Sequence, residues 1–148
     1  MSLSLESKIE MNDSPLLRYY GVEPKEIIRV IVAGTRKWIP AHHFDRHIRR
    51  LIAGIESPTV KVIFVSGMAK VGADKQIVDW CDAHSYEYEP YPADWDAHPP
   101  KTAGYIRNEE MAKVGDILLA FWDGESRGTR DMRKRMFKRK KLVITINY

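Results

Sequence analysis

The chain has 148 residues, 44% hydrophobic and 30% charged, with a formal net charge of +4; this suits one soluble domain with its own core. No apolar run approaches the ~20 residues that span a bilayer, so no membrane role is expected. Cys81 is the only cysteine, which excludes a disulfide framework and a Cys-based zinc site.

Residues 1–24 are polar and irregular, with Pro15 and Pro24 and a short apolar patch at Leu16, Leu17, Tyr19 and Tyr20. They read as a tail or arm beside a domain over 25–148. The amino end lacks the charged-then-apolar plan of a secretory signal, so a cytoplasmic setting is expected. Ile27 to Ala33 is a β-rich run ending in Gly34-Thr35-Arg36. Phe44, Ile48, Leu51, Ile52 and Ile55 then recur at helical spacing. Val60 to Val65 is a second strand ending in Ser66-Gly67, and Gly72 to His84 reads as a helix with Ile77, Val78 and Cys81 on one face. Tyr86 to Tyr91 is a weaker strand leading into a Pro-rich loop with Trp95. A helix over Lys101–Val114, an unbroken apolar strand over Ile117–Trp122, a helix over Ser126–Lys140 and a strand over Leu142–Ile146 complete the chain.

Strands alternating with helices imply parallel pairing through right-handed crossovers. The first, second, fourth and fifth strands are nearly continuous apolar runs, the pattern of strands covered on both faces. Ligands of such sheets lie beyond the carboxyl ends of the strands, where strand order reverses. Three polar, glycine-bearing loops follow strands there.

In Gly34-Thr35-Arg36 a glycine allows close backbone approach, while a hydroxyl and a guanidinium fork suit phosphate oxygens. The loop Ser66 to Asp74 has the glycine spacing of a P-loop at Gly67 and Gly72. Ala73-Asp74 stands where Lys-Ser/Thr is required, so an ATPase P-loop is rejected. Asp74 is expected to cap or charge the helix start. The third loop carries Asp123, Gly124, Ser126, Arg127, Gly128 and Thr129 at a helix start, where free amides favour anions. Arg107 and Asn108 project from the preceding helix toward the same crevice, and Trp95 or Trp122 offers a stacking surface. His42, His43 and His47 share a helix without a carboxylate or cysteine cluster beside them, so no metal is expected.

The positive charge is local. Nine Lys or Arg and one acid fall between Arg127 and Lys141, a net of +8, with Met132, Met136 and Phe137 as that helix's expected core side. Such a segment is either a solvated face or a surface for nucleic acid phosphates.

Together, Val32-Ala33-Gly34-Thr35-Arg36, Ser66-Gly67-Met68-Ala69, Gly72-Ala73-Asp74, Pro92-Ala93-Asp94-Trp95, Ala103 to Met111, and Arg127-Gly128-Thr129 resemble the SLOG superfamily, the Rossmann-like group named for the SMF/DprA and LOG proteins. The resemblance is to its YspA/YpsA-like branch, found in bacteria and phages, and covers about residues 28–148. It implies a three-layer α/β sandwich on a five-stranded parallel sheet of order 3-2-1-4-5. It also implies a nucleotide-type ligand near Gly34, Ser66, Arg107 and Gly128-Thr129. Two departures stand out. The second loop carries one extra residue in Lys70-Val71-Gly72, and Met132 stands where LOG enzymes, which cleave nucleoside monophosphates, carry a glutamate.

The leading expectation is a module that binds or senses a nucleotide-derived phosphate ligand. Its contacts are Gly34, Thr35, Arg36, Ser66, Gly67, Arg107, Asn108, Asp123, Gly124, Ser126, Arg127, Gly128 and Thr129. One alternative is a nucleoside-phosphate hydrolase using Arg107, Asp123 and Asp131. Another is a single-stranded nucleic-acid binder, like DprA relatives, working through Arg127–Lys141. A homo-oligomer fits any of these.

Overall fold

The computed structural model describes Gly21, Val22 and residues 25–148. Apart from Gly21 and Val22, the expected arm over 1–24 lies outside the described residues. Five strands, β1 (Ile27–Gly34), β2 (Lys61–Ser66), β3 (Tyr88–Pro90), β4 (Ile117–Trp122) and β5 (Leu142–Asn147), alternate with four helices, α1 (Ala41–Ile55), α2 (Ala73–His84), α3 (Pro100–Val114) and α4 (Arg127–Lys138). The sheet order is β3-β2-β1-β4-β5, with every pair parallel. This is the expected Rossmann-like architecture.

Alternation along each strand divides the core between two faces. Val30, Val32, Phe64, Leu119 and Phe121 join Phe44, Ile48, Ile77 and Cys81 of α1 and α2 on one side. Ile31, Val65, Leu118 and Ala120 join Met111 of α3 and Met132 and Met136 of α4 on the other. Each fully buried Ile, Leu or Phe in these layers contributes about 1.5–3 kcal/mol of transfer free energy, which is why apolar runs so plainly marked the central strands.

Several details differ from expectation. β3 pairs with β2 over only three residues and is half-buried, because it is an edge and runs into a Pro-rich loop. β5 is the opposite edge and only partly buried, so it is not covered like the inner strands. α4 stops at Lys138, where the chain turns through a left-handed Lys140 (φ 57°). Phe137 is 54% exposed, since a residue one step past Met136 points about 100° away from the core stripe that Met132 and Met136 share.

The chain crosses from β3 back past β2 and β1 to β4, so the carboxyl ends of β1 and β4 flank the switch point of the sheet. The loops leaving β1, β2 and β4 meet above it.

Candidate functional site

These three loops, the middle of α3 and the start of α4 enclose a cavity of about 140 Å³, lined by Ala33, Gly34, Arg36, Ala69, Val71, Asp74, Arg107, Asn108, Met111, Ser126, Gly128, Thr129 and Met132. Segments nearly a hundred residues apart thus contribute to one hollow. It brings together Gly34, Arg36, Arg107, Asn108, Ser126, Gly128 and Thr129 of the residues expected at a ligand site.

Arg107 is the central cation. Its Nη1 donates to the Gly67 carbonyl, and its Nε donates to Asn108 Oδ1 at 3.1 Å. Burial pulls its guanidinium below the ordinary arginine value, Asp74 opposes that fall, and the charge of Arg36 adds to it. Arginine nevertheless stays charged. Arg36 is exposed at the rim and makes no hydrogen bond or ion pair among the described residues. Two cations therefore face the same space with incomplete local compensation.

The start of α4 supplies amides. Ser126 is its N-cap residue, with no side-chain cap bond, and the first intrahelical bond runs from Arg130 N–H to the Ser126 carbonyl. The N–H groups of Arg127, Gly128 and Thr129 are left without helical acceptors. The Ser126 and Thr129 hydroxyls lie 3.5 Å apart beside them. A Cβ on Gly128 would meet nothing within 4 Å, so this floor is open.

Asn108 locks the geometry. Only 5% exposed, it donates from Nδ2 to the Gly128 carbonyl at 3.2 Å and to Asp131 Oδ2 at 3.0 Å. It thereby fastens α3, carrying Arg107, to the amino end of α4. Asp74 is a lining residue that the sequence reading assigned only to the helix start. Its Oδ2 accepts from Ala69 N–H at 3.0 Å, reaching back to cap the loop. Burial raises its carboxyl, against lowering by that amide and by Arg107 and Arg36. The signal was in the sequence: an acid two residues past Gly72, in the first turn of a helix whose start faces the switch point.

Other expected site residues serve the scaffold instead. Thr35 donates its hydroxyl (3.1 Å) and its amide (2.9 Å) to the Phe121 carbonyl. A Cβ on Gly34 would collide with that same carbonyl, so its glycine is required by the β1–β4 crossing. Ser66 is fully buried and staples its loop, donating to the Asp74 carbonyl at 3.0 Å and accepting from Met68 N–H at 3.1 Å. Gly67 makes room for Arg107 beneath the cavity wall. Asp123 is exposed and accepts from the amides of Ser126 and Glu125, both at 2.8 Å, which hold its carboxyl below the usual range. Gly124 (φ 82°) forms the turn, and Arg127 points to solvent outside the lining. Asp131 is held by Asn108 and by Arg135 Nε at 2.8 Å, also outside the lining. Neither Asp123 nor Asp131 is therefore placed for acid–base work in the cavity, and the lining residue at the LOG glutamate position is the thioether Met132.

Trp122 is unsuited to stacking on a ligand. Its indole N–H donates to the Ser126 carbonyl at 3.0 Å, and Arg133 covers its ring at 4.2 Å. Trp95 is 53% exposed. Its Cη2 and Arg107 Nη2 lie 3.9 and 4.0 Å from where a Gly104 Cβ would stand, which sets the open indole beside the cavity's main cation.

Most of the basic segment is engaged within the fold. Arg135 and Arg139 hold Glu109 of α3 at 2.8 Å each, and Arg133 donates to Thr145 Oγ1 at 3.1 Å. Arg130 donates to the Gly124 carbonyl at 3.3 Å, and Lys141 Nζ donates to the Ala112 and Lys113 carbonyls at the end of α3. Arg127, Lys134, Lys138 and Lys140 have no side-chain partner among the described residues. Among those residues, His43 hydrogen-bonds Tyr148 and His47 packs edge-on against Phe121. None of the described helices is long and apolar enough to cross a membrane.

A family model described as YspA, cpYpsA-related SLOG family matches residues 28–98. That span runs from β1 through the loop after β3. It includes Gly34, Arg36, Gly67, Asp74 and Trp95, while Arg107 and the Ser126–Thr129 segment lie beyond it. A comparison with curated proteins gives no match.

Proposed function

Residues 28–98 place this chain in the YspA, cpYpsA-related SLOG family, and on that premise we propose that the switch-point cavity binds the phosphate end of a nucleotide or nucleotide-derived ligand, as a binding or sensing module. The observation that carries the reading is the convergence of Arg107 and Arg36 on the unoccupied amides of α4. A buried guanidinium, a rim guanidinium and a helix amino end all favour negative charge. The conditions that depress the Arg107 pKa, burial and a neighbouring cation, are the ones a bound anion relieves.

Size supports a divided ligand. Pockets that enclose whole small molecules usually measure about 300–1,000 Å³, whereas this one holds about 140 Å³. A phosphate and its adjoining sugar fill that space, leaving the base over the rim beside the exposed face of Trp95. A thermal-shift screen of mono- and dinucleotides tests the reading. Ligand at 100 times its Kd adds about 2.7 kcal/mol, a rise of roughly 5–10 °C for a domain of this size. The rise disappears in Arg107→Ala. No shift with any nucleotide refutes the proposal.

A further inference from the structure

Asp74 is an anion lining a cavity otherwise built for anions. Its Oδ2 is engaged by Ala69 N–H, while Oδ1 accepts no hydrogen bond from the described residues. Arg107 is its nearest cationic neighbour along the floor. A Cβ on Gly67 would stand 2.7 Å from Arg107 Nη1 and 3.0 Å from Asp74 Oδ2. The guanidinium and carboxylate, both lining the cavity, are therefore separated by a gap that one oxygen atom can bridge. They form no ion pair within 4.0 Å. Gly67 below and the Ala69 cap behind hold them apart.

A group spanning that gap must accept from a guanidinium and donate to a carboxylate. A phosphate oxygen ionised at neutral pH can only accept, and it would meet the Asp74 charge head-on. A hydroxyl does both. The phosphate is then directed away from Asp74, toward Gly128 and Thr129 at the start of α4, where no carboxylate lines the wall, and Arg107 keeps N–H groups for it beyond those it gives to Gly67 and Asn108. A cavity of about 140 Å³ keeps the two subsites next to each other. The ligand that fits therefore carries a hydroxyl on the unit attached to its phosphate.

Building on the phosphate-binding reading above, we infer that Asp74 and Arg107 together hold a sugar hydroxyl of the ligand, making Asp74 a specificity residue that selects ribosyl phosphates over their deoxy counterparts. Nothing in this assignment requires chemistry at the site.

Titration calorimetry on the full chain tests it, using the four ribonucleoside monophosphates and their 2′,3′-dideoxy counterparts. Wild type should bind the ribonucleotide about 10- to 100-fold more tightly, the usual range for one hydrogen bond to a charged group. Asp74→Asn keeps an acceptor for Ala69 N–H but removes the charge, and should bring the ratio within about threefold. Equal affinity for ribo and dideoxy forms in wild type overturns the inference while leaving phosphate binding intact. So does an undiminished ratio in a folded Asp74→Asn variant. The wild-type comparison stands alone should that variant fail to fold. Binding of no nucleotide at all takes down this inference and the phosphate reading together.

Discussion

Replacing Gly67 by alanine separates the stability of the site from its function. The new Cβ would lie 2.7 Å from Arg107 Nη1, 3.0 Å from Arg107 Cζ and 3.0 Å from Asp74 Oδ2. Two of those atoms belong to the far end of a flexible arginine, so the side chain swings away and the backbone stays. The variant loses the charged hydrogen bond from Nη1 to the Gly67 carbonyl, about 1.5–3 kcal/mol. It regains about 0.4–1 kcal/mol from a stiffer unfolded chain, since Gly67 is not in the left-handed region. The net loss of about 0.5–2.6 kcal/mol lowers Tm by roughly 1–10 °C. Affinity responds more sharply. An Arg107 displaced from its seat forfeits a charge-assisted bond to phosphate, so a ribonucleoside monophosphate binds about 10- to 100-fold more weakly. Thermal melts and titration calorimetry on the same preparation read both quantities. A folded variant with wild-type affinity would refute the assignment of Arg107 as the principal anion contact.

Gly72 should behave in the opposite way. Its φ is +72° and its Cβ would stand 2.5 Å from the Thr35 carbonyl oxygen, so Gly72→Ala strains two backbones and should cost at least about 2 kcal/mol, a Tm drop of roughly 4 °C or more; an unchanged melt would contradict this loop crossing. Burial pushes the Cys81 thiol up to about 12 from an ordinary 9.0, so it should resist maleimide at pH 8 until the protein unfolds. Below pH 9 both states keep the proton and stability is flat. From there toward 12 the unfolded chain releases it first, so stability falls as pH rises, and Cys81→Ala should shallow that alkaline decline relative to wild type. If single-stranded DNA binds the basic segment, Arg127, Lys134, Lys138 and Lys140 are the charges at hand. A plot of log K against log salt should then have a slope no steeper than about −3, and a slope near about −4 would show that Arg135 and Arg139 leave Glu109 and Asp131 on binding.

The fold was legible because its signals are redundant. Ile27 to Ala33 and Ile117 to Trp122 are apolar on every residue that a two-sided sheet must bury, and the helices between them force parallel crossovers. The edges were less legible, since β3 and β5 need only one covered face and one neighbour. Phe137 was misplaced because an apolar residue beside Met136 reads as core until the helix phase is known from its partners. In the site, the three loops do meet at one cavity, but several of their polar side chains are engaged within the fold. Thr35, Ser66 and Asp123 carry the polar groups that a phosphate would need, yet each is consumed by a backbone partner. Phe121 becomes a neighbour of Thr35 only after folding, whereas Ser66 and Asp123 are taken up within their own loops, by Met68 and Asp74 and by the Glu125 and Ser126 amides. Asp74 is the converse case: a helix-start acid by pattern, and a cavity wall once Gly67 and Arg107 are in place.

The same distinction accounts for the basic segment. A net charge of +8 over fifteen residues invites a nucleic-acid reading, but its charges bind α4 to the rest of the fold. Arg135 and Arg139 grip Glu109, Lys141 closes the carboxyl end of α3, and Arg133 bridges Trp122 and Thr145. The Glu109 pairs and Lys141 tie the end of α4 and the turn after it to α3, Arg133 ties α4 to β4 and β5, and Asn108 completes the clamp at the cavity end. A helix amino end acts on an anion only within its first turn, so a displacement of α4 by even part of a turn would remove its amides from the cation pair. The density of positive charge follows from holding that helix start in place. On this account the cations farthest from the cavity act on ligand affinity through position, and those nearest to it, Arg107 and Arg36, act through charge.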